Sequence, residues 1–418
     1  MKTLTEIAAT NRAGVPAGIP SYCTAHTETL RTILSSYAGD DEPVLIEATC
    51  NQVNQFGGYT GMTPGGFKNF IDILATGEGV DPDRVILGGD HLGPNPWRSE
   101  PAAIAMEKAK EMVAAYVEAG FTKIHLDASM ACADDVSLSD ETRARRAAEL
   151  CAVAEEAADG VPLSYVIGTE VPVPGGETAG HGGISVTTPD SARNTFELHE
   201  EAFSRAGLSE ALERVIGVVV QPGVDFGNAE IMAFEPRQAE ELSETIFDIP
   251  NAVFEAHSTD YQSQRGLAGL VAAHFGILKV GPELTFAFRQ AVVAMAHIES
   301  HLSAPRSNIL AVVEDEMMRD PSQWRSYIAD DERAPAMRLF GLSDRIRYYW
   351  PRPRIAAALQ QLFANIDAGN AEAGLISQYA PFLLSTPASR QPLSGRIIAH
   401  HVGAVVEKYR RATGTMPG

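Results

Sequence analysis

Eight short apolar runs, each closing on polar residues, recur along the chain at 18–25 (GIPSYCTA), 44–50 (VLIEATC), 84–91 (RVILGGDH), 123–129 (KIHLDAS), 163–170 (LSYVIGTE), 214–221 (RVIGVVVQ), 252–260 (AVFEAHSTD) and 276–282 (GILKVGP). Continuous apolar runs of this length predict strands buried on both faces, as in a parallel sheet covered by helices. Helix-like segments follow each run, at 27–38, 63–75, 101–119, 139–158, 189–206, 236–246, 263–274 and 284–302. Complete strand–helix alternation predicts an α/β fold, a (β/α)8 TIM barrel, whose functional residues sit at the C-terminal strand ends. The polar residues of the runs fall at those ends, so one pattern sets both the architecture and the place to look for chemistry.

At 418 residues the chain is long enough for one barrel and an appendage. The expected division is residues 1–302 for the barrel, with an N-terminal arm over 1–17, and 303–418 for a C-terminal helical subdomain packed on it. Helical segments in the latter are expected at 307–319, 351–366 and 394–411. The formal net charge of −21 argues against a nucleic-acid partner. It leaves room for an anionic substrate, since a local cluster of cations and backbone amides binds phosphate inside an acidic protein. Four cysteines without a CxxC make no disulfide framework and point to a reducing compartment. The first residues carry no apolar leader-like core, and no stretch of about 18 apolar residues occurs, so a cytoplasmic protein without a membrane partner is expected.

The sharpest chemical pair is Asp90-His91, closing the third run: a histidine there can hold a divalent metal while the adjacent carboxylate moves a proton. His257 closes the seventh run, Asp127 the fourth and Glu170 the fifth, and together these make a rim of acids and imidazoles. Glu47 and Glu255 lie within runs, where each can equally be a buried structural acid. Lys279 in the eighth run has two roles open, a Schiff base or an ion pair with a carboxylate or substrate oxyanion, and the pairing role is preferred because a metal set competes with imine chemistry. Asn51, Gln55 and Gln221 offer amides suited to sugar hydroxyls, with turn formation as the plainer reading. Ser258 and Asp260 beside His257 join this substrate-binding set. The long Gly- and Pro-rich segment 171–188 is expected to act as a lid. Arg345 and Arg347, in SDRIRYYW at 343–350, can clamp a phosphate or sugar, or simply pack the subdomain. No GxxxxGK[ST] and no Rossmann GxGxxG is present.

At these residues the chain resembles a known family. The stretches 46–64 (IEATCNQVNQFGGYTGMTP), 88–97 (GGDHLGPNPW), 122–130 (TKIHLDASM), 165–176 (YVIGTEVPVPGG), 253–261 (VFEAHSTDY) and 343–350 are similar to the Z-subunit family of D-tagatose-1,6-bisphosphate aldolase, over nearly the whole length. Members are described as non-catalytic subunits supporting a class II aldolase, under older labels as tagatose-6-phosphate kinases, and in other cases as ketose 4-epimerases. A more distant resemblance to class II aldolases implies Asp90 as proton carrier, His91 and His257 as metal ligands, and catalytic acids at Asp127 and Glu170. Glu170 is also a possible ligand, followed by the Gly-Gly-Glu loop at 175–177. The departure is run six, where those enzymes carry a third metal histidine and this chain has Gln221.

The resemblance implies a divalent metal cofactor, with Zn, Mn, Ni and Mg all open, and a phosphorylated ketohexose substrate. The expected activity is a metal-dependent isomerase interconverting D-tagatose 6-phosphate and D-fructose 6-phosphate at C4 through retro-aldol and aldol steps. The alternatives are a non-catalytic subunit of a class II aldolase and a free-ketose or uronate 4-epimerase. Partner arrangements left open are a class II aldolase chain and a homo-oligomer.

Overall fold

The computed structural model describes residues 2–169, 184–302, 304–369, 371–385 and 391–416. Each of the eight apolar runs forms a strand. In chain order these are β1 (Ile19–Cys23), β2 (Val44–Thr49), β3 (Val85–Leu92), β4 (Lys123–Leu126), β5 (Ser164–Ile167) and β6 (Val215–Val219), then β9 (Val253–Ala256) and β10 (Phe275–Val280). Between them a two-stranded antiparallel sheet, β7 (Asp225–Phe226) and β8 (Ile231–Met232), rises from the loop after β6; the apolar periodicity gave no sign of so short a hairpin. The eight long strands pair in parallel and close in the order β1-β10-β9-β6-β5-β4-β3-β2, so the expected (β/α)8 barrel is the fold.

Strand alternation sorts the side chains into layers. Ile19, Leu45, Val253 and Ile277 point inward at the bottom, where the N-terminal helix Leu4–Arg12 plugs the barrel with Leu4, Ile7 and Ala8. That helix begins on a capping box in which Thr3 and Glu6 exchange hydrogen bonds. One step up each strand the inward positions become Glu47, Gly88, Lys123, Glu255 and Lys279, and one step further Thr49, Asp90, His125 and His257. Outward residues such as Tyr22, Ile46, Ile124 and Phe254 enter the larger core beneath the helices. The C-terminal helix Leu393–Thr413 packs against the helices Thr27–Ser35, Gln264–Ala272 and Pro282–Glu299 and against β1, closing the ring beside the first strand. Among the described residues no helix is long and apolar enough to cross a membrane.

Candidate metal and sugar site

Two adjacent strand residues normally point to opposite faces. At the top of β3 this rule is broken: the register with β4 shifts between Gly89 and Leu92, and His91 adopts φ 52°, a left-handed conformation that is uncommon outside glycine. The bulge turns both Asp90 and His91 inward. Ser258, next to His257, has φ 53°, the same departure on the opposite side of the barrel. Close backbone approach supports the geometry. A Cβ on Gly93 would lie 1.6 Å from the Asp127 carbonyl oxygen, and one on Gly88 would lie 2.6 Å from Glu47 Cγ.

Three imidazoles converge at this rim. The ring centroids of His91, His125 and His257 stand 5.0–5.4 Å apart. Each ring has one nitrogen on a carboxylate: His91 Nδ1 on Asp127 Oδ2 at 2.7 Å, His125 Nδ1 on Asp90 Oδ1 at 2.9 Å, and His257 Nε2 on Glu255 Oε1 at 2.9 Å. The carboxylate fixes the proton on the bonded nitrogen and leaves the other with a lone pair. Among the described residues His125 Nε2 is buried with no hydrogen-bond partner. Ligand atoms of Asp90, His125, Glu255 and His257 all lie within 4.8 Å of one another.

Beneath the imidazoles lies a buried ion network. Lys123 Nζ stands 2.5 Å from Glu47 and 2.8 Å from Glu255, and Lys279 Nζ lies 2.8 Å from Glu47 and is also ion-paired with Asp90. Lys123 pairs by charge rather than through aligned hydrogen bonds, since its Nζ makes none. Burial alone would raise Asp90, but His91, Lys279 and His125 hold its carboxyl well below the usual range. Burial alone would lower His91, and the carboxylates of Asp90 and Asp127 bring it above its ordinary value. Burial, reinforced by Lys279, lowers His257 to about 3 and keeps that ring neutral. Four carboxylates, Glu47, Asp90, Asp127 and Glu255, stand here against two lysines, Lys123 and Lys279. That excess of acids over lysines, the clustered ligand atoms and an imidazole nitrogen without a partner among the described residues suit a divalent cation, so the residues present fit such a metal.

A cavity opens above this cluster. Asp90, His91, His257, Ser258, Asp260, Lys279, Asn51 and Arg347 of the expected residues line it. Glu47 is buried below, in the ion network, and Asp127 stands behind His91. Lys279 is held among carboxylates, which raise it well above the ordinary lysine range against the effect of burial, so it is a cation here rather than an amine free for an imine. Besides Glu47 and Asp127, three more expected residues do not line the cavity. Gln55 donates to the Lys108 carbonyl on a neighbouring helix, and Arg345 stacks on Tyr327 and Tyr348. Gln221 Oε1 accepts from the amides of Gly223 and Val224 and thereby caps a turn. Glu170 and the lid segment through residue 183 lie outside the described residues.

Asp260 takes a structural part as well. Its Oδ1 accepts from the amides of Gly281 (3.0 Å) and Glu283 (2.7 Å), capping the helix Pro282–Glu299. Among the residues not singled out from the sequence, His125 and Lys123 carry the most weight, and Thr49, Gln52, Tyr59, Phe226 and Tyr348 complete the cavity wall. The signal for the first two was present: Lys123, His125 and Asp127 alternate with Ile124 and Leu126, and period-two alternation places all three on the inner face.

The profile of the family described as D-tagatose-1,6-bisphosphate aldolase subunit GatZ/KbaZ-like matches residues 4–414. A relative from Klebsiella pneumoniae subsp. pneumoniae, named D-tagatose-1,6-bisphosphate aldolase subunit GatZ, is 50% identical over 383 residues, covering 90% of each chain. One of the same name from Salmonella paratyphi B is 48% identical over 414 residues, covering 97% of this chain and 98% of the relative. A crystal structure named as a probable tagatose 6 phosphate kinase from Sinorhizobium meliloti 1021 superposes with a TM-score of 0.86 at 44% identity, covering 94% of this chain and 100% of that one. A match over almost the full length, on a barrel carrying this inward cluster, shows that the chain belongs to the GatZ/KbaZ-like family of D-tagatose-1,6-bisphosphate aldolase subunits.

Proposed function

We propose that the chain interconverts D-tagatose 6-phosphate and D-fructose 6-phosphate by epimerisation at C4, using a divalent metal held at the barrel rim. The observation that carries this reading is the set of three carboxylate-bound imidazoles, with the buried, unpartnered Nε2 of His125. A bystander subunit gains nothing from such an arrangement, because a buried polar atom without a partner costs about 1–3 kcal/mol. His91, His125 and His257 would hold the metal, oriented by Asp127, Asp90 and Glu255. When bound, a divalent metal supplies Lewis-acid polarisation of the C2 carbonyl.

The remaining steps belong to the side chains. Asp90, ionised at neutral pH, accepts the C4 hydroxyl proton; the C3–C4 bond breaks, C4 becomes an aldehyde, and the bond's electron pair passes to C3 as an enediolate. The ammonium of Lys279 balances the charge that develops there. The aldehyde rotates and re-forms the bond through its other face, and Asp90 returns the proton. Inversion at C4 therefore needs the fragment to be retained, and an aldolase differs in letting it leave.

The names of the curated relatives favour a second reading, in which the chain is a subunit that supports a class II aldolase. Incubation of the purified chain alone with D-tagatose 6-phosphate and Mg²⁺, Mn²⁺, Ni²⁺ or Zn²⁺ separates the two. Fructose 6-phosphate formed by the wild type and lost in Asp90→Asn supports the first. No conversion with any metal, together with stable co-purification of an aldolase chain, supports the second.

A further inference from the structure

The main cavity continues into a side chamber. Gln52, Tyr59 and Arg347 belong to the walls of both, and Thr24, His26 and Thr285 help to close the smaller space. The two spaces differ in charge. Asp90, Asp260 and Lys279 line the main cavity, whereas among the described residues the chamber walls carry one charge, the guanidinium of Arg347, and no carboxylate. His26 adds none at neutral pH, because burial lowers it to about 4.

Arg347 is fixed in place. It donates to the carbonyls of Ser343 and Asp344 and to the Tyr348 hydroxyl at 2.9 Å. Among the described residues no carboxylate comes within ion-pairing distance of it. A half-buried guanidinium held by carbonyls, without an acid to neutralise it, is arranged for an anion that arrives from outside.

Among the described residues a second anion finds no comparable seat. Lys279, among the described residues the other lysine or arginine lining the cavity, is committed to Glu47 and Asp90. The amides at the start of the helix Pro282–Glu299, otherwise a ready phosphate site, are occupied by Asp260. Residues 170–183 contain neither lysine nor arginine.

We propose that the side chamber seats a single phosphate monoester on Arg347, so that the cavity takes a ketohexose monophosphate in preference to a 1,6-bisphosphate. The assignment rests on the ketose-phosphate reading above, and it further specifies the substrate of the same site: phosphate at the guanidinium end, carbonyl and hydroxyls at the acidic end.

The test reads binding rather than turnover. Inorganic phosphate is expected to raise the Tm of the purified chain saturably, and Arg347→Gln to weaken that apparent affinity by roughly tenfold or more, the loss of a charge-assisted contact. Arg347→Lys should recover part of it. In calorimetry D-tagatose 6-phosphate should bind more tightly than both free D-tagatose and D-tagatose 1,6-bisphosphate. Equal phosphate affinity in wild type and Arg347→Gln, or bisphosphate binding as tight as monophosphate, overturns the proposal. Should Arg347→Gln not fold, wild-type crystals soaked in tungstate decide: density against Arg347 in the chamber supports the site, and density only elsewhere overturns it. Arg347-dependent monophosphate binding without any change at C4 leaves the subsite standing and removes the epimerase reading.

Discussion

His125 Nδ1 donates to Asp90 Oδ1 across the β3–β4 boundary at 2.9 Å, while Lys279 engages the same carboxylate oxygen. The residue read from the sequence as the proton carrier is therefore also the group that orients an imidazole. Removing a partner behind a metal-bound histidine typically weakens metal affinity by about 10–100-fold. Asp90→Asn should do so as well as abolish turnover, and His125→Ala should lose the metal more completely. Metal content after dialysis against a weak chelator, measured beside the urea midpoint, separates loss of metal from loss of fold. Wild-type metal content in both variants would remove His125 from the ligand set.

Lys123 sits at 0% exposure between Glu47 and Glu255. Replacing it with methionine fills similar space but leaves two buried carboxylates sharing Lys279. Breaking a buried ion pair from one side costs about 3–5 kcal/mol. Urea unfolding of Lys123→Met should show a loss of that order, and a loss below about 1 kcal/mol would mean that water or relaxation satisfies the acids.

Gly93 holds the β3 and β4 rims together, because an added methyl would overlap the Asp127 carbonyl. Gly93→Ala must push the strands apart, displacing Asp127 from His91. Overpacking of this kind costs typically about 1–3 kcal/mol, and activity should fall further than the stability loss explains. Thermal melts and turnover measured on the same preparation check both parts.

His199 is buried, with Nδ1 bonded to the Thr195 carbonyl, and burial lowers it to about 4 despite that bond and the nearby Asp140. His26 is lowered in the same direction by burial. Between pH 6.5 and about 4 the unfolded chain binds protons that these folded rings refuse, so stability falls as pH drops through that window. The contribution is complete above pH 6.5. The difference in urea midpoint between wild type and His199→Asn should be constant above pH 7 and change below 6.5, the wild type losing stability with a slope steeper by up to about one proton.

Cys23 lines the cavity, whereas Cys50, Cys132 and Cys151 are buried. Burial raises its thiol well above the ordinary range, although Lys279 pulls the other way. Alkylation followed by mass spectrometry should label Cys23 first, slowly at neutral pH and faster above pH 9, and a bound sugar phosphate should protect it. Preferential labelling of another cysteine would contradict the cavity's placement.

The amino-acid sequence by itself determined the barrel: eight apolar runs long enough to be buried on both faces, alternating with helical segments, leave few other ways to cover both sides of a sheet. It also determined which strand ends carry acids and imidazoles, because those residues interrupt the apolar runs. Three things waited for the tertiary structure. The inward turn of both Asp90 and His91 depends on a bulge whose register is set by β4, not by β3 alone. The membership of His125 in the cluster depends on which face of β4 meets β3 and β9 across the barrel, a matter of closure geometry. The fates of Gln55, Gln221 and Arg345 were decided by nearby carbonyls, amides and aromatic rings that satisfied them locally, and residue type alone does not distinguish a polar group held by its neighbours from one left facing a cavity.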